Sequence, residues 1–382
     1  MKRVLAAASL GGVAGALAST ETVRSSRPYW FLVDRVGTPL LRRIPDAELA
    51  HSITVSLLEY GFGPIDPKRG VASDLLKTSA FGLSFPSPLG LAAGFDKQAT
   101  CFNALIDMGF AFVEVGGVTP LPQPGNAKPR MFRLEEDKAV INRFGLNSQG
   151  HEAVAARLLE SPPLVGNVGV NLAKNSASTD LVGDYVKGVT SFGQCCDFLV
   201  LNVSCPNVSY TKDMKDDDLK NLVTAVARER NATCKDTPLL LKVSPDMNLE
   251  QQKAIASLAI SLGVDGLVVS NTTTSRPSTL QSPNKQETGG LSGQPVKQLA
   301  LATTKSLFQL TNGTVPIIGV GGIATGADAY ERIRAGATLV EIYTALAYEG
   351  PGLVLAIKDE LELLVQKDGF SHVSQCIGVD AK

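Results

Sequence analysis

The sequence predicts an α/β fold: a closed (β/α)8 barrel, or TIM barrel, with a small helical domain at its N-terminus. Stretches with helical spacing, such as 219–230 and 249–262, separate short apolar runs that are nearly continuous, as expected for strands of a covered parallel sheet. The count of eight runs indicates a closed barrel, and a doubly wound open sheet would leave that count unexplained. The runs are residues 89–95, 111–117, 165–172, 198–204, 239–244, 266–271, 316–322 and 339–345.

The composition favours small-molecule chemistry. The chain has 382 residues, of which 44% are hydrophobic, which is ample for a large core. Its 36 Lys and Arg residues nearly balance 37 Asp and Glu residues, so no basic field for nucleic acid is expected. The six cysteines show no CxxC spacing and the three histidines are scattered, so we expect no metal site.

We divide the chain into three parts: a targeting or membrane-anchor segment at 1–27, a helical domain at 28–75 and the barrel at 76–382. In the first part, Lys2 and Arg3 precede an uncharged run at 4–18. The run is shorter than the ~20 apolar residues that span a bilayer comfortably. A signal peptide that ends at Ala16-Leu17-Ala18 and a marginal membrane helix both remain open.

The helical domain is unusually apolar for a surface segment. Residues 29–44 carry Trp30 and many aliphatic side chains between Arg35, Arg42 and Arg43, and apolar residues recur about one helical turn apart in 48–60. One interpretation is an ordinary helical hairpin packed on the barrel. The other is a monotopic element that lies on a membrane surface.

The predicted strands end in polar and glycine-rich residues, and the C-terminal ends of barrel strands form one site. Gly321-Gly322 and Tyr343-Thr344 follow the last two strands, where many barrels hold a phosphate, and residues 289–293 are predicted to be a mobile loop that closes over it. Lys97 and Lys242 could place positive charge near an electron-rich ring. The carboxamides Asn142, Asn202, Asn207 and Asn271 suit the edges of a planar ring.

A phosphate-bearing cofactor without a metal cluster or a Ser-His-Asp set indicates flavin mononucleotide, FMN. The most informative segment for catalysis is 201–207, where Cys205 stands between two carboxamides at the end of an apolar strand. Cys205 could be one more buried thiol, since free cysteine usually behaves as a small hydrophobe. The flanking asparagines are poor strand formers and favour a functional site.

These residues are similar to a known family. The chain resembles the dihydroorotate dehydrogenases from about Arg27 to the C-terminus, and in layout it resembles their membrane-bound, quinone-using class 2 branch. The most specific segments are LGLAAGFDK (89–97), AVINRFGLNSQG (139–150), GVNLAKN (169–175), LNVSCPN (201–207), SNTTTSRP (270–277), ETGGLSG (287–293), VPIIGVGGI (315–323) and EIYTALAYEGP (341–351).

The resemblance implies FMN-dependent oxidation of (S)-dihydroorotate to orotate in de novo pyrimidine synthesis, with a ubiquinone-type quinone as acceptor and Cys205 as the catalytic base. By motif position, FMN would contact Ala92, Ala93, Gly94, Phe95, Asp96, Gly116, Asn171, Asn202, Lys242, Ser270, Gly293, Gly322, Tyr343 and Thr344. The substrate would contact Lys97, Asn142, Arg143, Phe144, Gly145, Leu146, Asn202, Asn207, Asn271 and Thr272. The quinone would approach past His51, Arg133 and Tyr343.

The resemblance also implies a location: a mitochondrial presequence merging into an inner-membrane anchor, with the barrel facing the intermembrane space and the helical domain on the lipid surface. Two positions depart from the branch: Cys205, and Val208, where class 2 members usually carry a threonine that supports the base. Class 2 members generally carry serine as the base and soluble class 1 members carry cysteine, so fumarate or another soluble acceptor stays open as an alternative. A phosphate-binding barrel lyase or isomerase without flavin, and a non-catalytic membrane scaffold, are the alternatives outside the family.

Overall fold

The computed structural model describes residues 20–71, 73–162, 164–204 and 216–381. The apolar run at 4–18 and the predicted site residues Cys205 and Asn207 lie outside the described residues. Within the described ranges, no helix combines the length and the apolar character needed to cross a bilayer.

The N-terminal region is helical, as predicted. Asp46 begins its longest helix because its carboxylate accepts hydrogen bonds from the backbone N–H groups of Glu48 (2.9 Å) and Leu49 (3.1 Å). Trp30 is buried, and its indole N–H donates to the carbonyl of Ile65 at 2.9 Å, which ties an earlier helix to the chain that leads into the barrel. The helices are α1 (Glu21–Arg24), α2 (Arg27–Leu32), α3 (Thr38–Arg42) and α4 (Ala47–Glu59), with a π-helical turn at Val33–Gly37.

The predicted closed barrel is confirmed, because each of the eight apolar runs supplies one of its parallel strands. Around the barrel the order is β3-β4-β7-β8-β9-β10-β12-β13. In chain order the strands are β1 (Thr78–Ala80), β2 (Leu83–Phe85), β3 (Leu89–Leu91), β4 (Phe112–Val118), β5 (Met131–Leu134), β6 (Ala139–Asn142), β7 (Asn167–Leu172), β8 (Phe198–Asn202), β9 (Leu239–Val243), β10 (Gly266–Val269), β11 (Gly290–Gly293), β12 (Ile317–Val320) and β13 (Leu339–Ile342).

Helices cover the outer face of the barrel and connect its strands. They are α5 (Phe102–Asp107), α6 (His151–Leu159), α7 (Leu181–Phe192), α8 (Asp216–Thr233), α9 (Leu249–Ser261), α10 (Lys297–Leu310), α11 (Gly326–Arg334), α12 (Thr344–Glu349) and α13 (Gly352–Lys367). The predicted runs are longer than most strands because their last residues leave the ladder. After β3, for example, Gly94 has φ +100°, and after β13 Thr344 already begins a helix.

Inward side chains fill the barrel in layers, because alternate residues of each strand face its axis. At the N-terminal end, the rings of Phe112 and Phe198 meet with centroids 6.1 Å apart. The hairpin of β1 and β2 closes this end with Phe81 and Phe85, whose rings lie 5.8 Å from Phe198 and 5.4 Å from Phe112, respectively. An aliphatic cluster lies farther along the axis: Val200, Leu240, Val268, Ile318, Val320 and Leu339.

A second sheet of three antiparallel strands, in the order β11-β6-β5, lies beside the C-terminal mouth of the barrel. The prediction of a mobile loop at 289–293 is therefore wrong, because Gly290 to Gly293 pair with Asn142 to Ala139. The glycines suggested a loop, but Leu291 is fully buried. Gly293 serves a close approach instead: it has φ +94°, and a Cβ there would lie 2.4 Å from the carbonyl oxygen of Lys138.

A buried ion pair joins the helical region to the barrel side. The Nε and Nη2 atoms of Arg130 donate to the two carboxylate oxygens of Glu48 at 3.0 and 2.9 Å, and both residues are at least 92% buried. Burial alone would raise the pKa of Glu48, but the hydrogen bonds from Arg130 and Lys128 outweigh it, and the pKa is lowered. The Glu48 carboxylate is therefore ionised in the folded chain at neutral pH.

We predict that Glu48→Gln lowers the free energy of unfolding by roughly 2–4 kcal/mol, because it leaves the buried Arg130 guanidinium without its counter-charge. Denaturant unfolding measures this loss, and limited proteolysis should show earlier cleavage in α3 and α4. The matched control is Glu59→Gln, an exposed carboxylate on the same helix. Equal stability of the two variants would contradict the assigned role of the pair.

Candidate active site

A cavity of about 340 Å³ lies at the C-terminal end of the barrel. All eight barrel strands, or the residues directly after them, contribute to its lining, and the second sheet adds Val140, Asn142, Ser292 and Gly293. A volume in this range, with a mostly apolar wall and a few convergent polar groups, is typical of a small-molecule site. The strand ends thus form one site, as the barrel arrangement requires.

Most of the predicted cofactor and substrate residues line this cavity. From the cofactor set these are Ala92, Ala93, Gly94, Asn171, Asn202, Lys242, Ser270, Gly293, Gly322, Tyr343 and Thr344. From the substrate set they are Lys97, Asn142, Phe144, Gly145, Leu146, Asn202, Asn271 and Thr272. The described residues outside the lining are Phe95, Asp96, Gly116 and Arg143.

Asp96 and Gly116 do not line the cavity, but their hydrogen bonds hold the segments that form its wall. The buried carboxylate of Asp96 accepts hydrogen bonds from the backbone N–H groups of Thr100 (2.9 Å) and Cys101 (2.8 Å), so it organises its own loop. The carbonyl of Gly116 accepts from the N–H of Gly94 at 2.8 Å. Arg143 turns toward Glu287, to which it donates at 2.6 Å.

Of the predicted quinone residues, His51 and Tyr343 come together. The His51 ring on α4 lies 5.1 Å from the ring of Phe95 and 6.5 Å from that of Tyr343, measured between centroids. Burial, followed by the nearby charge of Lys97, lowers the pKa of His51 to about 4, so its imidazole is neutral at pH 7. Arg133 lines a neighbouring groove, where it donates to the carbonyl of Ile44 at 2.7 Å.

A hydrogen-bond relay crosses the floor of the cavity and starts at a buried carboxylate. Glu114 accepts from Lys242 Nζ at 3.0 Å and from Asn171 Nδ2 at 2.5 Å. Asn202 Nδ2 donates to Asn171 Oδ1 at 3.1 Å, and Asn271 Nδ2 donates to Asn202 Oδ1 at 3.2 Å. The backbone N–H of Thr272 completes the relay by donating to Asn271 Oδ1 at 2.8 Å.

All hydrogen bonds of the relay run in one direction, because the ionised carboxylate of Glu114 can only accept hydrogen bonds. An ionised carboxylate offers no proton, so Asn171 must turn its amide nitrogen toward Glu114 and its oxygen outward. Asn202 and Asn271 are then oriented in the same way, each with its amide nitrogen toward the preceding carboxamide and its oxygen toward the next donor. The polar atoms along this wall are therefore preset before any ligand binds.

Lys97 stands at another wall of the cavity. Its ammonium lies 3.1 Å from the centroid of the Phe144 ring and donates to Asn147 Oδ1 at 2.9 Å. Contact with an aromatic face stabilises a cation without neutralising its charge. Lys97 can therefore offer a positive charge to an anionic ligand.

Backbone groups at the ends of β12 and β13 form the part of the cavity that suits a phosphate. Gly322 has φ +73°, and a Cβ there would lie 2.5 Å from the Cα of Lys297, so only glycine lets these segments approach. After the neighbouring strand β13, Thr344 Oγ1 donates to Ser292 Oγ at 2.8 Å. Backbone and hydroxyl donors after the last two barrel strands are the usual phosphate-binding elements of this fold. The residues present fit the phosphate of FMN.

Sequence reasoning missed several cavity residues. Glu114 and Glu341 are buried carboxyls in the middle of barrel strands, and Asn147 and Tyr348 also belong to the lining. A signal was present: each glutamate interrupts an otherwise apolar strand, FVEV and LVEI. A buried carboxyl requires a hydrogen-bonding partner or a proton, so such an interruption marks a polar network.

Comparison with known proteins decides the family. A family model described as dihydroorotate dehydrogenase matches residues 75–365. The chain belongs to the dihydroorotate dehydrogenase family. It is accordingly an oxidoreductase, and the resemblance inferred from the sequence is confirmed.

Members from distant organisms align along most of their length. Mitochondrial dihydroorotate dehydrogenase (quinone) of Mus musculus is 42% identical, and the alignment covers 99% of this chain and 98% of the mouse protein. Dihydroorotate dehydrogenase (quinone) of Rhodospirillum rubrum is 46% identical over 91% of this chain and 94% of its own. The crystal structure of Eimeria tenella DHODH in complex with ferulenol superposes with a TM-score of 0.85 at 40% identity, covering 88% of this chain and 96% of that chain.

We predict that Asn171→Asp lowers the free energy of unfolding by roughly 2–4 kcal/mol, although the side chains have the same shape. The variant replaces the donor to Glu114 by an acceptor and brings two buried carboxyls together. Denaturant unfolding at neutral pH measures the loss.

The matched control is Asn248→Asp. Asn248 caps α9 by accepting from the N–H of Gln251 at 2.9 Å, and aspartate keeps that acceptor, so a change within about 0.5 kcal/mol is expected. If Asn171→Asp were as stable as this control, the relay would not have the direction assigned to it.

Proposed function

We propose that this chain oxidises (S)-dihydroorotate to orotate, with FMN in the barrel cavity and a quinone as electron acceptor. The observation that carries the proposal is the cavity itself. It combines phosphate-binding backbone groups, an oriented row of carboxamides and an ammonium group at one wall. Family membership and relatives named as quinone-dependent enzymes support the same reaction.

When bound, FMN would supply the two-electron chemistry, accepting the hydride from C6 of the substrate and passing both electrons to the quinone. On the protein side, the backbone near Gly293, Gly322 and Thr344 would hold its phosphate. Lys242 and Asn202 would hold its ring, since both are fixed by the relay from Glu114. The remaining cofactor contacts are those proposed by motif position.

The substrate would lie between Lys97 and the asparagines. Lys97 can pair with the carboxylate of dihydroorotate, because its ammonium keeps a full charge on the Phe144 face. Asn271 and Asn142 line the same cavity and suit the amide and imide edges of a pyrimidine ring.

Cys205 is proposed as the base that removes the proton from C5 of the substrate. An unperturbed thiol has a pKa of about 8.5, so it ionises far more readily than a serine hydroxyl. The residue before it, Ser204, donates to the carbonyl of Lys242 at 2.8 Å and accepts from Asn271 Nδ2 at 3.3 Å. Ser204, the residue before Cys205, is therefore held at the cavity wall.

The quinone is proposed to approach past His51 and Tyr343, which link α4 to the strand ends. We include Arg133 in this path, at the neighbouring groove by α3. The N-terminal helical region exposes large apolar side chains, which supports contact with a lipid surface. These are Phe31 (65% exposed), Leu32, Val36, Leu40, Leu49, Leu57 and Tyr60 (76% exposed).

We propose a mitochondrial location for the chain. The mouse, rice and Arabidopsis relatives are named as mitochondrial enzymes and align over at least 99% of this chain. In this proposal the barrel faces the intermembrane space and residues 1–27 lead to an anchor in the inner membrane.

Anaerobic stopped-flow absorbance tests the function in two halves. Purified yellow protein is mixed with dihydroorotate, and reduced protein is then mixed with a ubiquinone analogue or with fumarate. We expect bleaching by dihydroorotate and fast recolouring by the quinone alone. Absence of bleaching would refute dihydroorotate as substrate, and recolouring by fumarate alone would move the chain to the soluble-acceptor alternative that Cys205 keeps open.

We predict that Lys97→Gln raises KM for dihydroorotate by about 10- to 100-fold, because it removes the charge that pairs with the substrate carboxylate. Steady-state kinetics with a fixed quinone concentration measures the change. The control is Lys253→Gln, a surface lysine that pairs with Glu250 away from the cavity. An unchanged KM in Lys97→Gln would remove Lys97 from the substrate site.

A further inference from the structure

We propose that Glu341 holds a proton as a neutral carboxylic acid and donates it in a hydrogen bond to ionised Glu114, which keeps the floor of the cofactor cavity electrically neutral. The inference deepens the proposed function, on which its consequence for FMN rests. It assigns a positioning role to a side chain that lines the cavity and that the relay described above does not use.

The barrel places the two carboxyls in one layer. Strands β4, β8, β10 and β13 alternate around the barrel, and alternate strands share layers of inward side chains. Glu341 pairs with Gly90 of β3, which pairs with Phe112 of β4. Because barrel strands are tilted to the barrel axis, the next inward residue of β4, Glu114, lies at the level of Glu341. The same offset on β8 and β10 adds Val200 and Val268 to this layer. On β3, which lies between the two glutamate-bearing strands, Gly90 is opposite Glu341 and carries no side chain to separate them.

The hydrogen bonds show which glutamate is ionised. Both oxygens of Glu114 receive donors, one from Lys242 Nζ and one from Asn171 Nδ2. Neither donor can give way. Lys242 requires a counter-charge, and the backbone N–H of Thr272, which can only donate, independently fixes the direction of the relay from its other end. Glu114 is therefore the carboxylate of the pair, and its remaining lone pairs can accept one more proton donor.

Glu341 has the opposite environment. It is fully buried, and neither of its oxygens receives a hydrogen bond from any residue that the structure describes. Burial, followed by the negative charge of Glu114, raises its pKa well above the ordinary value, and only Lys242 acts against this. A carboxyl without donors in an apolar layer is stable when it keeps its proton and donates it to a neighbour.

Among the described residues, no charged group other than Glu114 and Lys242 faces Glu341 from the inner side of the barrel wall. Its neighbouring strands place Gly90 and Val320 opposite it. Arg332 lies across β12 on the outer side, where it packs on Gly319 and donates to the carbonyl of Val320 at 3.0 Å. The charges that face Glu341 are those of Glu114 and Lys242.

This arrangement fixes the net charge beneath the cavity. With Lys242 positive, Glu114 negative and Glu341 protonated, the three charges sum to zero. A second negative charge would oppose the addition of electrons to a cofactor above it. The proton on Glu341 thus sets the electron affinity of the site without any contact with substrate.

Infrared difference spectroscopy tests the protonation state directly. The wild-type holoenzyme at neutral pH should show the carbonyl stretch of a buried carboxylic acid, shifted on deuteration. The band should vanish in Glu341→Gln, shift in Glu341→Asp and persist in Glu59→Gln, which removes an exposed carboxylate. A wild-type spectrum without the band would overturn the proposal, whether or not the Gln variant folds.

The midpoint potential of bound FMN provides the second readout. While Glu341 is protonated, wild type and Glu341→Gln should have the same potential at neutral pH. As the pH rises through the raised pKa of Glu341, wild type gains a negative charge and its potential should fall more steeply than that of the variant. A variant potential that is already more positive at neutral pH would overturn the proposal.

The two readouts separate this proposal from the proposed function. A protein that binds no FMN would give no potential and would refute the assigned reaction. The infrared band would still decide the state of Glu341 in that case, because it depends only on the carboxyl pair.

Discussion

The buried carboxylate of Glu114 is the constraint on which the cavity depends. It neutralises Lys242, and because it can only accept hydrogen bonds it sets the direction of Asn171. Through that residue it orients Asn202 and Asn271, whose amide groups form the polar wall. The ionised state of Glu114 on β4 therefore determines which hydrogen-bond donors and acceptors a ligand meets at the ends of other strands.

A polar network in a barrel core is costly unless every member is satisfied. Here the network occupies the layers nearest the mouth, and the aromatic layer of Phe112 and Phe198 separates it from the opposite end of the barrel. Glu341 is the one carboxyl in the network without a donor among the described residues. A proton on Glu341 lets this carboxyl donate a hydrogen bond and also avoids a second negative charge near Lys242. Structure and electrostatics thus favour the same protonation state.

The sequence predicted the barrel because strand burial leaves a local signal: eight continuous apolar runs with helical stretches between most of them. It predicted most of the cavity lining for a related reason, since Asn171, Lys242 and Ser270 each interrupt or end an apolar run. The second sheet was missed because Gly290 and Gly293 suggested a loop, whereas the chain uses glycine there for close backbone approach. Glu114 and Glu341 each interrupt an apolar strand, which marks them as polar sites, but their approach to each other across β3 depends on barrel closure, which no local pattern encodes. The position of Arg133 likewise depends on how the helical region docks on the second sheet.

Quenching of flavin fluorescence measures the affinity of FMN for Glu114→Gln and Glu341→Gln side by side and distinguishes the roles of the two carboxyls. We expect the two variants to differ. Loss of the Glu114 carboxylate leaves Lys242 uncompensated and removes the origin of the relay, so affinity should fall by at least about 10-fold. Glu341→Gln replaces one neutral donor by another and should weaken binding far less. Equal losses in the two variants, or a larger loss in Glu341→Gln, would contradict the assignment of Glu114 as the ionised anchor.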